Sequence, residues 1–350
     1  MLLASTPLSL HFLFYRLSLL SISFLALVTL TVRICSFPFL RMNRRSAFVT
    51  TNLVGGLGNQ LFLVANLLAT AKRNNVAAFL PRAPLSSSCE APRPTYWPSV
   101  FQDLPAFGVA EEVPTDLPVT AVSESRPVAP VTLHSSAPQI YDMVGFFQSD
   151  VYFRDYPIIK SVIPRSLIAK AAEHMRVNYG IERETHAVAL HLRRGDYTRM
   201  RHVFEELPLS YYDTALRQLL GGFLLRDIVC AYEGKGHQVK VLIFCEETLF
   251  GDTAVGYFAS KYAGLDVSLV HATNEVNAPF QSGVECPRDV LELLMIHLCS
   301  DVVMANSTFS WWGAYLNEKP LRRVVAPSKW FVQDPYPSSN HLYCDDWILL

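Results

Sequence analysis

No Asp-x-Asp triplet occurs anywhere in this sequence, so it lacks the carboxylate pair that usually brings a metal to a nucleotide-sugar diphosphate. None of its seven cysteines (Cys35, Cys89, Cys230, Cys245, Cys286, Cys299 and Cys344) forms a Cys-x-x-Cys, and no Cys/His cluster has zinc spacing, so no metal site is expected. Basic residues are not in excess: 30 Lys and Arg stand against 31 Asp and Glu, without a basic tract. That excludes a protein whose main partner is nucleic acid. There is no Gly-Lys-Ser/Thr phosphate loop, no Gly-x-Gly-x-x-Gly, and no repeat with a period of roughly 20 to 50 residues. The six cysteines beyond the N-terminal segment either pair in an oxidising compartment or stay as buried thiols, and cysteine usage does not decide between these.

What is present suits a large core. Half of the 350 residues are hydrophobic, and the length fits two domains. The N-terminus carries an uncharged run, Leu17 to Val32. A membrane span needs roughly 20 apolar residues, and with Arg16 snorkelling to the interface Leu8 to Val32 is long enough. A membrane anchor is therefore expected; the alternative, a cleaved signal peptide, lacks a clear small-residue site before Arg33. Charge alone places the C-terminal side in the cytoplasm, because Arg33, Arg41, Arg44 and Arg45 outnumber Arg16 and the terminal amine.

Beyond the anchor the chain alternates strands and helices. Ala47–Val54 reads as a strand, Gly55–Gly58 as a turn, and the segment from Asn59 as a helix with Leu61, Val64, Leu67, Leu68 and Ala71 on one face. Pro81 to Pro138 holds half of the 22 prolines and predicts long loops with short strands. Order resumes at Val144–Phe153. Strands are expected at Ala187–Leu192, Val239–Cys245, Val267–His271, Asp301–Ala305 and Val324–Ala326. Helices are expected at Leu209–Leu225, Arg288–Cys299 and Thr308–Asn317. This is an α/β pattern of two doubly wound, Rossmann-like domains facing a cleft. The expected boundaries are a tail, anchor and stem at 1–45, an N-terminal domain at 46–182 and a C-terminal domain at 183–350.

Three segments carry candidate chemistry. In AVALHLRRGDY (187–197) a buried strand runs into Arg193 and Arg194. A buried guanidinium must be paired. The choices are a structural salt bridge, an exposed RGD adhesion loop, or an anion site, for which the guanidinium fork is well shaped. Two successive residues on an extended segment point to opposite sides, so one arginine faces the cleft while the other anchors to Asp196 or another carboxylate. In ANSTFSWWGAYLN (305–317) Asn306, Ser307 and Thr308 are capping residues whose free N–H groups suit phosphate. Trp311 and Trp312 are packing residues or, for one of them, the wall of a sugar site. The Asn306 sequon is read as accidental, because a glycan there would sit inside the core. In GGLGNQLF (55–62) Gly56, Asn59 and Gln60 either present the backbone and side-chain donors to a ligand or simply make a tight turn. If the chain binds a diphosphate without an Asp-x-Asp metal site, its cations must be side chains.

GGLGNQLF, GFFQSDVYF, ALHLRRGDY, ANSTFSWWGAYLN and VVAPSKWF, in this order, resemble the motif set of glycosyltransferase family 11, the α-1,2-fucosyltransferases, over Asn52 to Phe331. The resemblance implies a GT-B-like fold, GDP-fucose as donor, a metal-independent inverting reaction without a cofactor, and a galactose-terminated glycan as acceptor. It also implies a single-pass type II Golgi membrane protein with a luminal catalytic part, against the charge argument above. It assigns the donor's diphosphate to His191, Arg193, Arg194, Asn306, Ser307, Thr308 and Phe309, and the acceptor-side cleft to Gly56, Asn59 and Gln60. The family's Ser-Asp-Asp-like turn reads Cys245-Glu246-Glu247 here, which leaves Glu246 to receive guanine with one extra methylene. The general base is Asp196, with Glu205 or Glu206 behind it, or else Asp196 only orients an arginine. Alternatives are a fucosyltransferase of other linkage or acceptor, and an inactive GDP-sugar-binding relative.

Overall fold

Strand β1 (Phe48–Thr51) is buried along its whole length and opens a five-stranded sheet. The computed structural model describes residues 47–350, apart from 82–94, 113, 115, 135–136, 233–237, 263, 271–285 and 334–338. The expected anchor lies outside the described residues, and among those no helix is long and apolar enough to cross a membrane.

The first sheet has the order β3–β2–β1–β5–β4, with β2 at Ala77–Phe79, β3 at Val109–Ala110, β4 at Val119–Ser123 and β5 at Ile140–Val144. The second has the order β11–β10–β9–β6–β7–β8. Its strands are β6 (His186–Leu192), β7 (Val239–Cys245), β8 (Asp266–Leu269), β9 (Asp301–Val303), β10 (Arg323–Ala326) and β11 (Ile348–Leu349). Every strand pairing within the two sheets is parallel. The chain is thus α/β with two parallel sheets, and both fall in one compact unit, Arg45–Leu350.

Helix α1 (Leu57–Asn74) departs from its one-faced expectation: nearly every side chain from Leu57 to Thr70 is buried. It is wedged between the first sheet and a helix of the second half, so it needs apolar residues all round. Among the described residues the longer helices that follow are α2 (Arg165–Tyr179), α3 (Leu209–Tyr232), α4 (Thr248–Lys261), α5 (Arg288–Leu298) and α6 (Thr308–Leu316), with a single helical turn at Ile159–Val162 before α2. Helices α2 and α4 were not expected from the sequence, and α3 runs further than its pattern predicts. Strand β6 alternates faces, as its period of two requires. Val188, Leu190 and Leu192 pack with Tyr212 and Leu216 of α3, whereas Ala187 and Ala189 join the core that holds α5 and α6.

Aromatic side chains join α1 to α6. Phe62 lies 4.5 Å from Trp311 and 4.9 Å from Trp312, and Phe153 stacks on Trp312 at 5.6 Å. Both tryptophans are fully buried, which settles them as packing residues. Burying each such side chain contributes roughly 1.5–3 kcal/mol. At the far end of the second sheet, buried Asp301 accepts from Arg323 and lies 2.8 Å from His186 Nε2. Burial raises the Asp301 pKa, but His186 and Arg323 outweigh it and hold the carboxyl below its ordinary value.

Candidate functional site

Each sheet has a point where strand order reverses, and such points form ligand crevices at strand carboxyl ends. In the second sheet it lies between β6 and β9, in the first between β1 and β5. Arg193 and Arg194 follow β6, and Asn306, Ser307 and Thr308 follow β9. The β1 end carries Gly55, Gly56 and Asn59, and the β5 end carries Phe146–Gln148. The two crevices meet. Thr308 Oγ1 donates to Asn59 Oδ1 at 3.0 Å, and Gln148 Nε2 donates to the same oxygen at 3.0 Å. A Cβ on Gly58 would lie 2.5 Å from the Thr308 carbonyl carbon, so the N-termini of α1 and α6 approach this closely only because residue 58 is glycine.

The two arginines follow the end of β6 and diverge. Arg193 donates to Glu246 Oε1 at 2.7 Å and to Asp196, and its guanidinium lies 4.8 Å from the Tyr197 ring. Tyr197 stacks on Phe204 at 4.0 Å and donates to the Asn306 carbonyl at 3.1 Å, so Arg193 leans toward the α6 N-terminus. Its Nε is buried without a partner. Arg194 goes the other way, 4.2 Å from the Phe250 ring of α4, and pairs with Glu206 and Glu247. Burial lowers the Arg194 pKa, and the two glutamates more than reverse this. Arg201 pairs with Glu206 at 2.8 Å. The RGD segment is therefore no free loop: both arginines are held, and Gly195–Arg199 is a 3-10 helix. The salt bridges are what the structure shows: carboxylates occupy the guanidinium edges that a diphosphate would have to take.

The remaining residues singled out by sequence divide into those that face the crevice and those that build it. Ser307 caps α6, its Oγ accepting from the Phe309 N–H. Asn306 is buried, and its amide donates to the carbonyls of Glu205 and Trp330, which leaves no room for a glycan. His191 is buried with its ring 5.3 Å from Phe309. Burial and, secondarily, Arg193 lower its pKa to about 3, so the imidazole is neutral. Its Nδ1 is buried without a partner. Asp196 accepts from Arg193. Glu246 turns back over the β6 turn: its Oε1 accepts from the Arg194 N–H at 3.0 Å as well as from Arg193. Gly195 has φ +42°, and a Cβ there would stand 2.8 Å from Glu246 Oε1. Gly56 is exposed at the start of α1, whereas Gln60 is buried and donates to the Gly55 carbonyl. Sequence reasoning missed Glu247 as an Arg194 partner and Gln148 as the link to Asn59. Gln148 lies inside the quoted GFFQSDVYF, but only the fold shows what it touches.

Among the described residues no three His, Cys, Asp or Glu side chains come together as metal ligands. Residues 273–350 match the sequence model of Glycosyl transferase family 11. The chain is 29% identical to the O-antigen biosynthesis glycosyltransferase WbnK of Escherichia coli, over 46% of this chain and 44% of that one. It is 22% identical to an alpha-1,2-colitosyltransferase of Escherichia coli, over 55% of this chain and 57% of that one. The chain thus spans about half the length of the curated relatives it matches. The solved fucosyltransferase NodZ from Bradyrhizobium has a TM-score of 0.45 at 13% identity, over 78% of this chain and 92% of that one, a likeness too loose to carry an argument. The resemblance to glycosyltransferase family 11 that the motifs express is borne out by the family match and the two relatives.

Proposed function

We propose that this chain, which resembles glycosyltransferase family 11 in its motifs and in its relatives, is an inverting fucosyltransferase of GT-B-like architecture. It moves L-fucose from GDP-fucose to the 2-hydroxyl of a terminal galactose. The observation that carries the reading is the convergence of Arg193 and the Ser307-capped N-terminus of α6 on one crevice, tied across to α1 by Thr308 and Asn59.

In this mechanism the acceptor oxygen bonds to the anomeric carbon while the bond from that carbon to the β-phosphate oxygen breaks. Negative charge grows on the departing diphosphate. Arg193, once the diphosphate displaces its carboxylates, and the N-terminus of α6 receive it, and positioned donors of this kind are often the largest part of catalysis. Arg194 balances the charge from the other side of β6. His191 stays neutral and contributes a hydrogen bond, not a charge. Asp196 positions Arg193. When the diphosphate takes over Arg193, Glu246 is released and can accept from the guanine of the donor. The acceptor's proton passes to a carboxylate or water in the cleft. No cofactor or metal enters this scheme. The membrane anchor over Leu8–Val32 and a luminal Golgi setting belong to the same proposal and rest on the sequence alone.

A second reading is favoured by the relative named as a colitosyltransferase: the same chemistry with another donor sugar. Incubating the chain with a methyl β-galactoside and either GDP-fucose or other GDP-sugars, and determining the product linkage by NMR, tests both. Transfer only from another GDP-sugar would select the second reading; no transfer from any would reject both.

A further inference from the structure

The β4 and β5 ends form a second cavity that the diphosphate site does not use. It has a volume of about 50 Å³ and is lined by Glu124, Ser125, Arg126, Phe146, Gln148 and His341, among others. Its floor is unusually constrained. Gly145 has φ +136° and Phe147, a non-glycine residue, has φ +52°. Such backbone costs free energy unless its surroundings hold it, and it gathers where ligands bind. Here Glu124 Oε1 accepts from the Phe147 N–H at 2.5 Å, and the Phe147 ring is fully buried edge-on against Tyr152 at 5.0 Å. With Phe147 turned inward, Phe146 and Gln148 are the side chains that line the cavity. The opposite wall comes from the C-terminal segment, fixed by Ser149 Oγ donating to the His341 carbonyl at 2.6 Å and Trp311 Nε1 donating to the Leu342 carbonyl at 2.6 Å.

We infer that this cavity is the acceptor subsite and that it takes the hydroxyl-bearing edge of a neutral sugar. The inference rests on the transferase reading above. Four features point to a sugar. The wall combines the aromatic rings of Phe146 and Tyr152 with an amide, a hydroxyl, an imidazole, a guanidinium and a carboxylate, the mixture of apolar surface and few placed polar groups that pockets for small ligands show. The opposite charges of Glu124 and Arg126 cancel, which suits an uncharged ligand and not a phosphate. By the measure in which one water needs roughly 10–15 Å³, the cavity accepts one edge of a pyranose and not a nucleotide. Gln148 also donates to Asn59, which accepts from Thr308, so one chain of hydrogen bonds runs from the cavity wall to the N-terminus that would receive the diphosphate. A sugar seated there is adjacent to the site of transfer, and the C-terminal segment takes part in choosing it.

The test is photolabelling of the full chain with a methyl β-galactoside carrying a diazirine on its aglycone, followed by peptide mapping, with GDP binding measured in parallel by calorimetry. Label within residues 124–128, 146–148 or 341–342, suppressed by excess free methyl β-galactoside, is the expected result. The Phe146→Ala and Arg126→Ala variants should lose about tenfold in suppressible label while binding GDP within about twofold of the parent. Label elsewhere, absence of suppressible label, or a parallel loss of GDP binding in these variants would overturn the assignment. Failure of the parent chain to bind GDP would instead remove the transferase reading, so the two failures are told apart.

Discussion

Thr308 Oγ1 donates to Asn59 Oδ1 across 249 positions of sequence, and with the Gly58–Thr308 contact it locks two helix N-termini together where the crevices of both sheets meet. The junction is backbone against backbone, so it cannot yield by moving a flexible side chain. Gly58→Ala should cost about 1–3 kcal/mol, in the manner of other overpacked sites. Thermal unfolding of the parent and the variant measures this. An unchanged unfolding midpoint would show that the helices part easily.

Arg193 and Arg194 should differ in their response to substitution by lysine. Arg193 spreads its guanidinium edges over Asp196 and Glu246 and lies against Tyr197. A lysine keeps the charge but not the planar fork. Arg193→Lys should therefore lower the transfer rate nearly as far as Arg193→Ala, on the order of 10²-fold. Arg194→Lys should retain more activity than Arg194→Ala, because Arg194 faces α4. Steady-state rates of the four variants decide this. Full activity of Arg193→Lys would mean that charge alone suffices.

Glu246 should separate phosphate binding from nucleotide binding. Its Oε1 accepts from Arg193 and from the Arg194 N–H. Removing its charge relieves competition for Arg193 but leaves guanine one neutral amide oxygen in place of two carboxylate acceptors. Glu246→Gln should thus bind inorganic pyrophosphate more tightly and GDP less tightly than the parent. Calorimetry with both ligands tests the pair, and changes of the same sign would contradict the exchange described above.

Asp301 gives a pH dependence of stability with a definite sign. Its folded pKa lies below the ordinary 3.8, so the unfolded chain binds the proton more tightly. The stabilisation is complete above the unfolded value and is lost as pH falls below it toward the depressed folded value. Urea midpoints of the parent should fall more steeply below about pH 4 than those of Asp301→Asn. At neutral pH that variant should cost about 1–3 kcal/mol, since it removes the charge that half-buried Arg323 and His186 contact. Parallel pH profiles would show that the carboxylate is not held by its partners.

Much of the second sheet could be read from periodicity. Val239–Cys245 is a strand over the same residues that its apolar run marks, and Arg288–Leu298 is the helix its spacing predicts. Arg165–Tyr179 escaped because its apolar residues are spread around the helix and only Leu167, Ala171 and Met175, a narrow stripe, are buried. The burial of α1 on nearly all sides was invisible for the opposite reason, since periodicity does not say how many neighbours a helix has. Among site residues, alternation along a strand predicts the opposed directions of Arg193 and Arg194, although the strand ends at Leu192 and Arg194 already has non-extended backbone. The partners of Arg194, Glu206 and Glu247, lie 12 and 53 positions from it, and no local pattern links them. The cavity at β4 and β5 depends on Glu124, Gln148 and His341, which only tertiary structure brings together.

The central claim, that fixed arginines and a helix N-terminus carry the diphosphate of a GDP-sugar, is tested most directly by the rate of fucose transfer from GDP-fucose to methyl β-galactoside by the parent chain and by the Arg193→Ala, Arg194→Ala double variant, with folding of both confirmed by thermal unfolding. The account predicts transfer by the parent and a loss on the order of 10²-fold or more in the folded double variant. Equal rates in the two proteins, or a parent chain that neither binds GDP nor transfers fucose, would contradict it.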